Sequence, residues 1–203
     1  MRSFGTGMVC VWILTGCVGS HIQQTHFYSL NEKANFKSSF GEGMTIGIGP
    51  IYLADHLDRP NLVRQTSTGK YLVYNTYRWK APLDEAILLG LAHELKARSP
   101  DRGVVMHPWY RGSSIDYQVV LRIQKFEPDS EGQLTLTGSF EVIDKKKNSR
   151  IKENDFEFEL KMSDHDFSNQ VKLMREAIRI LASEINRSLP VSFSIAGQNA
   201  ADD

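Results

Sequence analysis

Leu134-Thr135-Leu136-Thr137-Gly138-Ser139-Phe140-Glu141-Val142 puts an apolar residue or a glycine on every even position and a polar residue on every odd one. A period of two belongs to a strand with one packed face and one wetter face. The flanking segments repeat it. Ile115, Tyr117, Val119, Leu121 and Ile123 come before, and Phe156, Phe158, Leu160 and Met162 come after, the latter set against Asp155, Glu157, Glu159 and Lys161. Three such runs in succession predict an antiparallel meander. Lys145-Lys146-Lys147, after Asp144 and before Asn148-Ser149, reads as a solvated hairpin turn between two of them.

Outward from the meander lie two helices. Asp164 to Leu189 carries Val171, Met174, Ile178, Leu181 and Ile185 at helical spacing and stops at Pro190, so it should cover the sheet's apolar face. The spacing is also heptad-like, but it lasts too few heptads to prefer a coiled coil over core packing. The other helix opens at Pro82, with Asp84 and Glu85 at the positive end of its dipole. It shows Leu88, Leu91, Ala92 and Leu95 as its stripe and ends at Ser99-Pro100. Upstream, His26 to Leu30, Met44 to Leu53, Asn61 to Arg64 and Lys70 to Trp79 have strand character, and Gly103 to Met106 is a short apolar strand. Gly47, Gly49 and Pro50 suggest a bulge or an edge position for Met44 to Leu53 rather than a place inside a sheet. Asn31 to Gly43 reads as a loop. The fold class is therefore α/β (α+β): a mixed, largely antiparallel sheet packed by two main helices, in one domain.

The N-terminus carries a different signal. Met8-Val9-Cys10-Val11-Trp12-Ile13-Leu14 follows Arg2 and is too short to span a bilayer, which takes about 20 apolar residues. Leu14-Thr15-Gly16-Cys17 at its end is a lipobox: an aliphatic residue, two small residues that let a peptidase reach the backbone, then a thiol to be acylated. Residues 1–16 are thus expected to leave as a signal peptide, with 17–25 as a lipidated tether, 26–190 as the folded domain and 191–203 as a disordered tail. Two or three acyl chains, palmitate among them, at about 0.8 kcal/mol per buried methylene would anchor the chain stably. Val18 follows the cysteine where an Asp would retain an enteric-type lipoprotein in the inner membrane, so the outer membrane is the expected destination, on its periplasmic face. Cys10 leaves with the signal, and the remaining cysteine is the acylated one, so no disulfide is expected.

Composition and motifs narrow the function. Lys plus Arg and Asp plus Glu are 24 each, which gives no basic field for nucleic acid. Ser67-Thr68-Gly69-Lys70 has Arg64 where a Walker loop needs its first glycine, so it is a turn. Gly47-Ile48-Gly49-Pro50 lacks the third glycine of a dinucleotide loop. His93-Glu94 lies on a helix with Ala97 where a zinc protease needs its second histidine, and that pair is expected at the surface. Asp55-His56-Leu57-Asp58 offers three polar groups that would diverge in an extended loop. No metal, no cofactor and no catalytic constellation is read, and the chain is expected not to be an enzyme.

Four segments carry a family signal: Ile46-Gly47-Ile48-Gly49-Pro50-Ile51-Tyr52-Leu53, Leu57-Asp58-Arg59-Pro60-Asn61-Leu62-Val63, Tyr77-Arg78-Trp79 and Pro82-Leu83-Asp84. Together they resemble the ABC-type transport auxiliary lipoproteins, most closely the paraquat-inducible protein C (YmbA-like) group. The resemblance runs from Phe27-Tyr28-Ser29-Leu30 through the last helix. It implies a two- or three-layer domain and a role as accessory, docking subunit of a mammalian-cell-entry (MCE) type lipid transport system that maintains the envelope. It also implies an MCE-domain protein as partner and, by analogy with that partner's symmetry, a homo-oligomeric ring. Leu57, Asp58, Arg59, Pro60, Arg78 and Trp79 read either as architecture or as partner contact. Trp79, before a helix entry, is placed to plug one end of the sheet and helix layer.

Three other classes stay in view. A lipoprotein that carries lipid or another small ligand itself would need a sizeable apolar cavity. A periplasmic hydrolase would need convergent polar side chains in a cleft. An outer-membrane assembly or polysaccharide-export lipoprotein of similar size is argued against by residues 44–85. For the anchor, Cys17→Ala should abolish processing and remove the protein from outer-membrane fractions on flotation; normal cleavage with unchanged flotation would refute the lipobox.

Overall fold

A computed structural model of the chain describes residues 23–32, 35–40 and 43–190. Its elements, in chain order, are β1 (His26–Tyr28), β2 (Thr45–Leu53), β3 (Asn61–Gln65), β4 (Tyr71–Trp79), α1 (Leu83–Arg98), β5 (Gly103–Met106), β6 (Tyr117–Pro128), β7 (Gln133–Asp144), β8 (Ser149–Lys161) and α2 (Phe167–Ser188). Among the described residues no helix is long and apolar enough to cross a membrane. The lipobox, Cys17 and the tail from 191 lie outside the described residues.

The expected meander is present. β6, β7 and β8 pair antiparallel in sequence order, and the Lys145–Lys147 block forms the turn between β7 and β8. Leu134, Leu136, Phe140 and Val142 of β7 are fully buried, and the register sets them beside Phe126 and Leu121 of β6 and Phe158 and Leu160 of β8. The turn is more than solvated. Lys146 Nζ reaches Asp116 Oδ1 at 2.8 Å, and Thr45 N–H donates to Asp116 Oδ2 at 2.9 Å, which ties the turn to the start of β2. Burial alone would raise the Asp116 carboxyl, but the Lys146 ammonium and the Thr45 N–H hold it below its ordinary value.

The architecture is α+β, as the patterning predicts, and mixed, as the family resemblance implies, but it contains two sheets. Five strands run in the order β5-β2-β6-β7-β8, and three run β1-β4-β3. The longest ladders are antiparallel, while β2 pairs parallel with both β5 and β6, and β1 pairs parallel with β4. Of the two expectations for β2, a bulge or an edge position, the bulge is the one that forms. Thr45–Ile48 lies inside the large sheet, and only beyond Gly49-Pro50 does β6 remain as its one strand partner. Gly49 and Pro50 instead make the bulge between Ile48 and Ile51, where a proline's missing donor removes no ladder bond. Gly49 has φ +102°, and a Cβ there would stand 2.8 Å from His107 Cβ, so both conformation and space require glycine.

Both helices enter one core. α2 buries the full predicted stripe of Val171, Met174, Ile178, Leu181 and Ile185 against the large sheet and α1, so the heptad-like face is already occupied. Asp166 caps it by accepting from Ser168 N–H at 3.3 Å. α1 buries Leu83, Ala86, Ile87, Leu91, Ala92 and Leu95, whereas Leu88 is only half-buried and faces elsewhere. His93 also departs from expectation. It is half-buried, with its ring edge-on to Phe36 at 5.2 Å between centroids.

Gly138 shows how tightly the meander is drawn. It lies opposite Ile123, where β6 bulges, and a Cβ on it would stand 2.1 Å from the Arg122 carbonyl oxygen and 2.9 Å from Phe156. Backbone has come where a side chain would be. Gly138→Ala should therefore cost about 1–3 kcal/mol or more in urea unfolding. Gly43→Ala, with open space around it, should change the midpoint little; equal midpoints for the two variants would refute this account of β7.

Candidate functional site

The motif residues from the sequence come together at one corner of the small sheet. After β2 the chain folds into a compact turn rather than an extended loop. Leu57 and Asp58 N–H both donate to the Ala54 carbonyl, at 2.8 and 3.2 Å, and Arg59 N–H donates to Leu57 O. This buries Leu57 (2% exposed) and leaves Asp58 and Pro60 exposed. Pro60 O then accepts from Trp79 N–H at 2.7 Å, and Asn61 lies opposite Arg78 in the β3–β4 ladder. The segments 57–60 and 78–79 are thus joined through backbone. Trp79 is buried in the core, next to Leu57 and Leu83.

The charged members of the motif do not pair with each other. Arg59 Nη2 donates to Asp55 O at 3.4 Å, so the Asp58–Arg59 contact offered by their proximity is not what forms. The Nε atoms of Arg59 and Arg78 are buried without a hydrogen-bond partner among the described residues. Asp55, His56 and Asp58 are not a metal set either. No group of three His, Cys, Asp or Glu side chains that could hold a metal occurs among the described residues. His56 instead sets Nε2 3.3 Å from Glu127 Oε2 and stacks on Tyr71, with ring centroids 4.3 Å apart. Glu127 is 1% exposed and also accepts from Phe126 N–H at 2.7 Å. Burial, with this carboxylate beside it, raises the Tyr71 phenol above its ordinary pKa. The pair links the 54–60 turn to β6 and the β3–β4 hairpin.

A groove opens beside α1, on the side that Leu88 faces. It encloses about 890 Å³ between the segment after β1, the β4–α1 junction, α1 and the end of β5. Leu30, Phe36, Leu88, Leu89 and Met106 give it apolar walls, and Lys80 and Glu85 are exposed at its rim. Its wall after β1 is fixed from behind. Arg175 donates through Nε to Leu30 O and through Nη2 to Ser29 O, at 3.1 and 2.9 Å, and Asn31 Nδ2 donates to Ala86 O at 2.8 Å. The sequence reading missed this groove, although a signal exists: Ala86-Ile87-Leu88-Leu89-Gly90-Leu91-Ala92 contains no polar side chain, so α1 has no wet face in its middle. The His56–Glu127 pair had no such signal, because 71 residues separate its members.

Comparison with known proteins fits this architecture. A family model described as the ABC-type transport auxiliary lipoprotein component matches residues 28–186. The intermembrane transport lipoprotein PqiC of Escherichia coli (strain K12) is 23% identical over 141 residues, covering 69% of this chain and 73% of that protein, and PqiC of Shigella flexneri matches to the same extent. Two solved structures share the fold. An uncharacterized protein superposes with a TM-score of 0.67 at 20% identity, covering 81% of this chain and 98% of its own. A protein from Xanthomonas campestris superposes with a TM-score of 0.65 at 14% identity, covering 80% and 93%. With the family match running from the end of β1 into the last turns of α2, this chain belongs to the ABC-type transport auxiliary lipoprotein family.

Proposed function

We propose that this protein is an outer-membrane-anchored periplasmic lipoprotein that serves as the docking subunit of an MCE-type lipid transport system. The observation that carries the reading is the family match over residues 28–186, the whole folded domain. The intermembrane transport role of the PqiC relatives supports it, and Leu14-Thr15-Gly16-Cys17 supplies the anchor. The mechanism is positional. Acylated Cys17 holds the domain at the outer membrane, and the domain holds the end of a lipid conduit there. A ring of copies around that conduit goes with the role, and light scattering on the solubilised lipoprotein should give a multiple of the single-chain mass; a monomer removes the ring.

Within the motif, the buried and exposed members take different parts. Leu57 and Trp79 build the corner, while exposed Asp58 and Pro60 are free to meet a partner. Affinity capture from intact envelopes should recover an MCE-domain protein, and failure to do so removes the partner. Asp58→Lys should weaken that capture about tenfold with an unchanged unfolding midpoint. Trp79→Ala should instead cost about 3–5 kcal/mol of stability. Full capture by Asp58→Lys would leave the motif with architecture alone.

A further inference from the structure

The docking role makes no use of the groove beside α1. Of the apolar run Ala86–Ala92, the core takes Ala86, Ile87, Leu91 and Ala92, and Leu88 and Leu89 turn into the groove. A helix face that met only water would carry charge there, as α1 does further on with Glu94 and Arg98, an exposed ion pair at 3.3 Å. The volume of about 890 Å³ lies within the range of sites that enclose small molecules. Its flanking backbone is already tied. Lys80 N–H donates to Tyr28 O, and Ser39 and Val104 exchange N–H···O bonds at the edge of β5. Binding there would run through side-chain apolar contact, not through strand addition.

We propose that this groove holds an acyl chain of a membrane phospholipid. Leu30, Phe36, Leu88, Leu89 and Met106 take the hydrocarbon. At the rim Lys80 offers a cation to the phosphate, and Glu85 and Glu32 offer carboxylates to an ammonium headgroup, so the charges suit a zwitterionic lipid. The supply of lipid rests on the anchored reading. Eight residues, 18–25, separate Cys17 from β1 and reach at most about 30 Å, so the groove wall that begins at Tyr28 stays close to the bilayer.

The test uses the full-length lipoprotein in intact envelopes, with a photoreactive benzophenone side chain at position 89 in one strain and at exposed position 151 in another. Irradiation followed by mass spectrometry should find phospholipid adducts at 89 about tenfold over 151. Leu88→Trp, which fills the groove, should cut the adduct at 89 by a similar factor. Lys80 is surface-exposed, so Lys80→Glu leaves the core untouched; it should lower capture of zwitterionic phospholipid at 89 even if Leu88→Trp does not fold. Equal adducts at 89 and 151, or a protein adduct at 89, would overturn the proposal. A chain that recovers the MCE-domain protein yet shows no lipid at 89 loses only the groove, and one that captures lipid without the partner loses only the docking role.

Discussion

Phe167, the first residue of α2, carries the small sheet. Its ring stacks on Tyr77 with centroids 4.0 Å apart, lies 4.0 Å from the Arg64 guanidinium, and meets Tyr74 edge-on at 4.8 Å. Tyr77 and the guanidinium are each too close to share one face, so they take opposite sides of the ring. Arg64 is fixed in turn by Gln170 Oε1 and His165 O, both at 2.9 Å, and Gln170 is itself buried and donates to Val63 O. Each aromatic pair contributes about 0.5–1.5 kcal/mol beyond its buried area, and a desolvated cation–π contact about 2 kcal/mol. A three-stranded sheet with a three-residue β1 and a five-residue β3 needs that help, because it has no second layer of its own. These contacts seat the small sheet on α2, while Leu57 and Trp79, buried in the core, seat the 57–60 corner and the entry to α1.

What could be read from the sequence was what repeats locally. The period of two in residues 134–142 and the 3.6-residue stripe of α2 each depend on one face meeting one apolar layer, so the pattern is visible before the partner is known. The small sheet lacks such a pattern. In β4, Tyr74 and Tyr77 both face Phe167 although they stand three apart, because the β3–β4 ladder is irregular between Asn61 and Leu62. The contact that seats this sheet joins Arg64 to Gln170, 106 residues away. No window of sequence contains both.

Where readings departed from the structure, a residue signal had more than one physical use. Gly47, Gly49 and Pro50 pointed to a bulge or a sheet edge; the bulge forms inside the sheet, and the glycines also permit close approach, with a Cβ on Gly47 standing 3.0 Å from Trp109. Leu88 was counted into the core stripe of α1, but a helix with apolar residues all round can face two apolar surroundings. Asp58 and Arg59 were adjacent and opposite in charge, yet the turn that buries Leu57 sends Arg59 back to Asp55 O. Of the motif, the family resemblance named the residues, and burial decided which of them build and which face outward.

The groove and the corner share α1, and that limits how either can move. Leu83, which opens the helix, packs with Trp79 and Leu57, and one turn later Leu88 and Leu89 form the groove wall. The inner side of α1 is locked into the core by Ile87 and Leu91, both with no exposed surface. A packed helix of this kind does not yield to a ligand by small increments. The facing wall, residues 29–32 with 35 and 36, is held by hydrogen bonds from Arg175 and Asn31 and by an exposed Arg175–Glu32 ion pair at 3.4 Å, which screening makes weak. Opening of the groove would therefore fall on that wall. It stands directly after β1, the edge strand of the small sheet, so displacement of β1 and access to the groove act on the same few residues.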